Sequence, residues 1–139
     1  MKQIIQNLRN GGTSLVDVAA PSLSTGKIQI ETTHSLISLG TEKMLMDFGK
    51  AGWLDKARQQ PDKVKQVLGK VKTDGLFATV DAVRSKLSQP IPLGYCNVGL
   101  VAGRGSEKYP KGVRVASNGG HAEVVSVPDN LCARIPDEV

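Results

Sequence analysis

Two cysteines, two histidines and a tyrosine set directly before one of the cysteines are the side chains here with the widest chemical reach. Cys96 follows Tyr95 in "PLGYCNVG", Pro92 to Gly99, and Cys132, His34 and His121 stand far from it in the chain. A reactive thiolate needs a nearby base or cation, and a metal site needs ligands at CxxC or helical spacing. None of these four residues forms such a pair. Two cysteines cannot build a disulfide framework, so a reducing compartment fits and each thiol reads first as a small buried hydrophobe. His121, behind a glycine pair at the head of a strand, is expected to be hydrogen-bonded or solvent-facing rather than an acid or base. His34, inside an alternating strand, is a weaker candidate still. No GxGxxG opens a helix: the nearest run, "GRGSEK" from Gly103, has Lys108 where the third glycine belongs. No GxxxxGK occurs either, so this chain alone is not expected to hold a dinucleotide.

The elements that would position these residues divide the chain in three. "KQIIQNL" and "TSLVDVA" read as strands joined by "RNGG", a hairpin connection, and "PSLSTG" as turn material. "KIQIETTHSLIS" alternates Ile28, Ile30 and Thr32 on one face, which predicts a strand over Lys27 to Ile37. In the middle, a short helix begins near Thr41. A second helix starts with Pro61 in its first turn and carries Val64, Val67, Leu68 and Val71 at i, i+3, i+4, i+7. A third carries Leu76, Phe77, Val80, Val83 and Leu87, with "KTDG" as the break and Asp74 as its cap. From Pro92 the pattern returns to short strands, "NVGLVAG", "GVRVAS", "HAEVVSVP" and "LCARIP". This is a mainly β body, a small barrel or sandwich with a helical insertion at about 41–88.

Composition bounds the function. At 139 residues the chain fits one domain, able to bury roughly 70% of its unfolded surface. No apolar stretch approaches the roughly 18–20 residues of a membrane span, and the start lacks a signal-like apolar region, so a mature cytoplasmic protein is expected. The net charge of +5 is local: Lys43 to Lys86 hold ten Lys or Arg against five Asp, and the rest of the chain balances. The helical pair is therefore expected to turn its apolar side down and its basic side out. Lysines without stacking aromatics or a groove-reading motif argue against nucleic acid.

The ordered set "TGKIQIETTHSLISLGTE", "PIPLGYCNVGLVAG" and "KGVRVASNGGHAEVVSVPDNLCARIPDEV" resembles the GroES-like domain of the medium-chain dehydrogenase/reductase family, the zinc-type alcohol dehydrogenase-like proteins. It covers nearly the whole chain. The resemblance implies a partly open β-barrel that lines the substrate side of a cleft, with NAD or NADP held by a Rossmann domain absent from these 139 residues. The isolated domain would then be catalytically incomplete. The long basic helices are similar to those of a bi-domain oxidoreductase subgroup from polysaccharide gene clusters, which implies a sugar or sugar-nucleotide substrate and leaves a homo-oligomer open.

In the zinc-dependent branch of that family, two segments supply metal ligands. Where the family has Cys, a variable residue, Ser or Thr, then Asp, this sequence has Leu39, Gly40, Thr41 and Glu42; where it has Gly, His, Glu, this one has Gly94, Tyr95 and Cys96. Leucine offers no donor atom and neutral tyrosine is a poor zinc ligand, so catalytic zinc is not expected. Two cysteines cannot build the four-cysteine structural lobe. A zinc-independent hydride-transfer enzyme must polarise its carbonyl by hydrogen-bond donors. The resemblance aligns Thr41 with the relay hydroxyl and places Tyr95 at the former ligand position; these are the catalytic candidates. Ser38, Glu42 and Cys96 are the substrate-side candidates. For Thr41 a helix-capping role stands beside the cleft role, and for Tyr95 simple packing does. The alternative reading is a free-standing binding module that uses Lys56 to Lys72 on its helical hairpin for a partner or nucleic acid.

Overall fold

Alternate burial along each strand builds the larger sheet. A computed structural model describes residues 1–103 and 105–139; Arg104, inside the "GRGSEK" run, lies outside the described residues. The strands are β1 (Lys2–Asn7), β2 (Thr13–Asp17), β3 (Lys27–Ser35), β4 (Pro90–Pro92), β5 (Asn97–Ala102), β6 (Arg114–Ser117), β7 (Val124–Pro128) and β8 (Cys132–Arg134). The helices are α1 (Leu39–Lys50), α2 (Trp53–Gln59), α3 (Pro61–Asp74) and α4 (Leu76–Ser88). A curled five-stranded sheet has the order β7-β3-β5-β6-β8, antiparallel throughout, and a three-stranded sheet has the order β2-β1-β4. This is the expected partly open barrel with helices. Ile28 and Ile30 of β3, Val101 of β5, Val115 of β6, and Val125 and Val127 of β7 form its core with Tyr109 and Ala122. Each such aliphatic side chain contributes about 1.5–3 kcal/mol by leaving water.

The chain forms two compact units. The first holds Met1–Ile5, Ser14–Glu42 and Pro92–Val139; the second holds Gln6–Thr13 and Lys43–Ile91. The first contains the whole core just described.

Three sequence expectations change. The β3 strand stops at Ser35 rather than Ile37, because the chain turns there into the start of α1. The break between the long helices falls at Gly75, whose φ of 85° ends α3, and Asp74 is the last residue of α3 rather than a side-chain cap for α4. The helical pair does not put an apolar side down: α3 buries no residue, α4 buries only Thr79, and Leu68, Leu76 and Phe77 are 58%, 58% and 87% exposed. Val64, Val67 and Val71 are half-buried. Short β4 and helix α2 carry too little periodicity to be read from sequence. Among the described residues no helix is long and apolar enough to cross a membrane.

An irregularity in β3 decides what the first unit presents. Along β5, Val101 pairs with Ile30 and Gly99 with Thr32, but Val98 pairs with His34 and Asn97 with Ser35, so one extra residue is inserted after Thr32. Because side chains alternate with period two, a one-residue bulge exchanges the faces beyond it. Ser35 takes the inner face that His34 would otherwise occupy, and His34 is exposed.

Candidate functional site

The inner face of β3 continues into a chain of buried polar contacts. Asn97, 1% exposed, donates from Nδ2 to Thr32 Oγ1 at 2.9 Å, and the Ser117 hydroxyl donates to Asn97 Oδ1. Ser117 Oγ in turn accepts the Gly119 N–H at 3.1 Å, which anchors the "NGG" loop. Gly119 cannot carry a side chain: a Cβ there would lie 2.7 Å from Val125 Cγ2 and 2.8 Å from Asn97 Oδ1. This loop delivers His121.

His121 is buried and has both ring nitrogens engaged. Its Nε2 lies 3.2 Å from each carboxylate oxygen of Glu42, and its Nδ1 lies 2.9 Å from Ser35 Oγ. Both side chains of the His121–Glu42 pair are inside, 4% and 6% exposed. An ionised carboxylate only accepts, so the Nε2–H donates to Glu42, and in the neutral ring Nδ1 accepts the Ser35 hydroxyl proton. The same carboxylate reaches back to accept the Ser38 N–H at 3.0 Å at the start of α1. The ring also rests against Gly94, whose φ is 88° and where a Cβ would come within 2.7–2.8 Å of the imidazole. Positive φ and ring contact both require glycine at that turn.

The next two residues of the turn bring in the other candidates. Cys96 O accepts the Leu36 N–H at 3.0 Å, which ties the turn to the end of β3. Tyr95, 47% exposed, donates from its hydroxyl to Thr41 Oγ1 at 3.3 Å. The Ser38 hydroxyl first, and Thr41 second, hold the Tyr95 phenol below its ordinary pKa of 10.0, because hydroxyls that turn toward it stabilise the phenolate. Around these hydroxyls lie Leu36, Ile37 and Leu39, exposed at 65%, 64% and 81%.

Of the residues singled out from the sequence, the fold brings Ser38, Thr41 and Tyr95 together at one surface. Glu42 is part of the cluster but turned inward, its carboxylate taken by His121 and the Ser38 N–H instead of facing a ligand. Cys96 is half-buried and contributes a backbone carbonyl, and both cysteines are free thiols. Burial raises the Cys132 thiol above its usual pKa, as befits a packed side chain. Sequence reasoning missed Ser35 and undervalued His121. The glycine pair before His121 was the available signal, since it marks a loop forced close to other backbone. No comparable signal marked Ser35, whose direction depends on the bulge.

The donor set does not suit a catalytic zinc. Leu39 has no ligating atom, Tyr95 is bonded to a hydroxyl, and the two nitrogens of His121 are already committed to Glu42 and Ser35. A cleft of about 560 Å³ borders Gly94 and Gly120 but none of Ser35, Ser38, Thr41 or Tyr95. The hydroxyl cluster is an open wall.

No protein-family profile matches the chain, and no curated protein does. Solved structures do match. The quinone oxidoreductase of Thermus thermophilus, also solved as its complex with NADPH, aligns with a TM-score of 0.58 at 19% identity over 100% of this chain and 34% of its own. The quinone oxidoreductase of Coxiella burnetii aligns at 0.62 and 18% identity over 100% of this chain and 38% of its own. Galactitol-1-phosphate dehydrogenase of Escherichia coli aligns at 0.62 and 13% identity over 99% and 39%. These likenesses establish a fold shared with parts of those structures, and the chain spans little more than a third of their length.

Proposed function

We propose that this chain is the substrate-side, GroES-like domain of a zinc-independent NAD(P)-dependent oxidoreductase whose cofactor is held by a Rossmann domain elsewhere in a longer protein. The observation that carries the reading is the hydroxyl cluster of Ser38, Thr41 and Tyr95, open to solvent and rimmed by exposed Leu36, Ile37 and Leu39. Exposed apolar side chains around converging donors suit one wall of a cleft that a second domain closes. The likeness in fold to oxidoreductases almost three times as long supports the same reading. The NADPH complex of the Thermus enzyme supports a nicotinamide as the cofactor of the longer protein.

On this reading the nicotinamide supplies or removes the hydride, and the residues of this chain bind and polarise the reacting oxygen. Tyr95 turns its one hydroxyl proton from Thr41 to the substrate carbonyl, and the hydroxyls of Ser38 and Thr41 then donate to the phenol oxygen. Thr41 is a positioning residue for that phenol, and Cys96 is filling at the edge of the site. A sugar or sugar nucleotide is the substrate class that the resemblance of the basic helices implies for the longer protein, and Lys63, Lys65, Lys70 and Lys72 of α3 are all exposed. The setting is cytoplasmic.

The test is titration of the full-length protein with NAD(H) and NADP(H): binding of one is expected, and binding of neither would sink the reading. Tyr95→Phe in that protein should lower turnover roughly 10²-fold, within the range for loss of one oxyanion donor. Because its phenol is held below the ordinary range, Tyr95 should ionise at lower pH than a free tyrosine as pH rises toward 10.0, and Ser38→Ala should raise that midpoint. Ultraviolet titration reads both.

A second reading, a binding module working through the helical hairpin, draws on the exposed Leu68, Leu76 and Phe77 beside those lysines. It loses Lys56, whose ammonium is buried and donates to Gly49 O at 2.8 Å and Arg9 O at 3.0 Å. Its nucleic-acid form predicts a salt-sensitive gel shift.

A further inference from the structure

Net positive charge and uncovered apolar side chains meet on the helical pair of the second unit. In α3 the half-buried Val64, Val67 and Val71 form the inward stripe, and in α4 the buried Thr79 and half-buried Val83 do. One residue further round each helix runs an outer stripe at i, i+3, i+7: Lys65, Leu68 and Lys72 on α3, and Phe77, Val80 and Arg84 on α4. All six are exposed, Phe77 at 87%, and Leu76 beside it at 58%. Both outer stripes are displaced in the same sense from the inward ones. Two helices that pack on each other across a one-residue break at Gly75 therefore carry them on one side. Asp62, Asp74 and Asp81 lie off both stripes, and so do Lys63 and Lys70.

We propose that this side of the helical pair docks on an anionic phospholipid surface. Leu68, Leu76, Phe77 and Val80 enter the boundary between headgroups and acyl chains, while Lys65, Lys72 and Arg84 meet the lipid phosphates and carboxylates. The helices lie on the bilayer and do not cross it, since no described helix is long and apolar enough. The inference goes beyond the oxidoreductase reading and stands independently of it.

Charge selects the occupant. The ionised groups on the two outer stripes are all cationic, so a second copy of this chain would bring like charges together. A protein partner would call for arginine and large aromatics, because lysine is depleted at protein interfaces. Over Lys43 to Lys86 lysine outnumbers arginine by eight to two. Lysine suits a lipid surface: its methylene stem lies along apolar groups while its ammonium reaches out to phosphate. Headgroups present their phosphates in no fixed pattern, which point charges can meet wherever they fall. Nucleic acid is also a polyanion, but it offers no apolar interior to Leu68, Leu76 and Val80.

Flotation of the 139-residue chain with vesicles of phosphatidylcholine and phosphatidylserine in equal parts tests this. Binding is expected to these vesicles and not to phosphatidylcholine alone, and it should weaken as salt rises. Lys65→Ala with Lys72→Ala should weaken it about 25-fold, about fivefold for each charge lost near the surface. Phe77→Ser should weaken it about tenfold and Phe77→Trp restore it. Lys63→Ala with Lys70→Ala removes the same charge from the other side of α3 and should cost less. An equal loss there overturns the side assigned. No binding to the mixed vesicles, or equal binding to phosphatidylcholine alone, overturns the proposal. So does a chain that ignores vesicles but forms a dimer lost in Phe77→Ser, or that shifts duplex DNA, because the face then belongs to a second copy or to nucleic acid.

Discussion

The two units are stabilised in different ways. In the first, apolar side chains at every second strand position converge on one core, and a polar series from Thr32 through Asn97 and Ser117 to Gly119 runs through it with its hydrogen bonds made. In the second, helices α3 and α4 pack on each other yet leave Leu68, Leu76 and Phe77 in water, and the most deliberate contact is a lysine. Lys56 lays its ammonium on the carbonyls of Gly49 and Arg9 and passes 5.8 Å from the Phe48 ring centre, with its pKa lowered by burial. The first unit thus fixes side chains by networks that tolerate little change, and the second is held by a few contacts. Chemistry belongs where geometry is over-determined.

That contrast can be broken at three places. The largest effect is expected for His121→Ala, which strands the Glu42 carboxylate in the interior; unfolding in urea should show a loss of about 3 kcal/mol, as for other buried pairs cut on one side. A loss under about 1 kcal/mol would mean the network does not brace the first unit. Lys56→Met removes the donor from two carbonyls of the second unit and should cost about 1 kcal/mol, read as a lower Tm and faster amide exchange at the end of α1. The lysine's lowered pKa also has a sign: between its folded value and 10.5 the unfolded chain binds more protons, so wild-type stability should rise with pH in that window and Lys56→Met should lose the rise. The smallest effect belongs to Phe77→Ser at the most exposed aromatic position, expected within about 0.5 kcal/mol. A larger loss would show that this face is covered in solution.

Local pattern made much of the first unit legible. Ile28 and Ile30 alternate with polar neighbours and are fully buried, and "RNGG" joins two strands that are neighbours in the smaller sheet. The valine stripe of α3 predicted a helix correctly and its burial wrongly, since periodicity says which residues share a face and not whether anything covers it. At the site, Thr41, Ser38 and Tyr95 were found through a resemblance, and the fold does place them together. Glu42 was named as a substrate-side candidate, and its side chain is buried against His121.

The sequence by itself determined where the longer strands and the two long helices lie, the absence of donor atoms at Leu39, and the excess of lysine over its middle third, because each is a matter of neighbours in the chain. Only the tertiary structure decided the Ser35–His121–Glu42 series. Its partners are 86 and 79 positions apart, and which of His34 or Ser35 meets the imidazole turns on a single extra residue in the pairing of β3 with β5. A register of that kind is set by the partner strand, so no reading of β3 alone contains it.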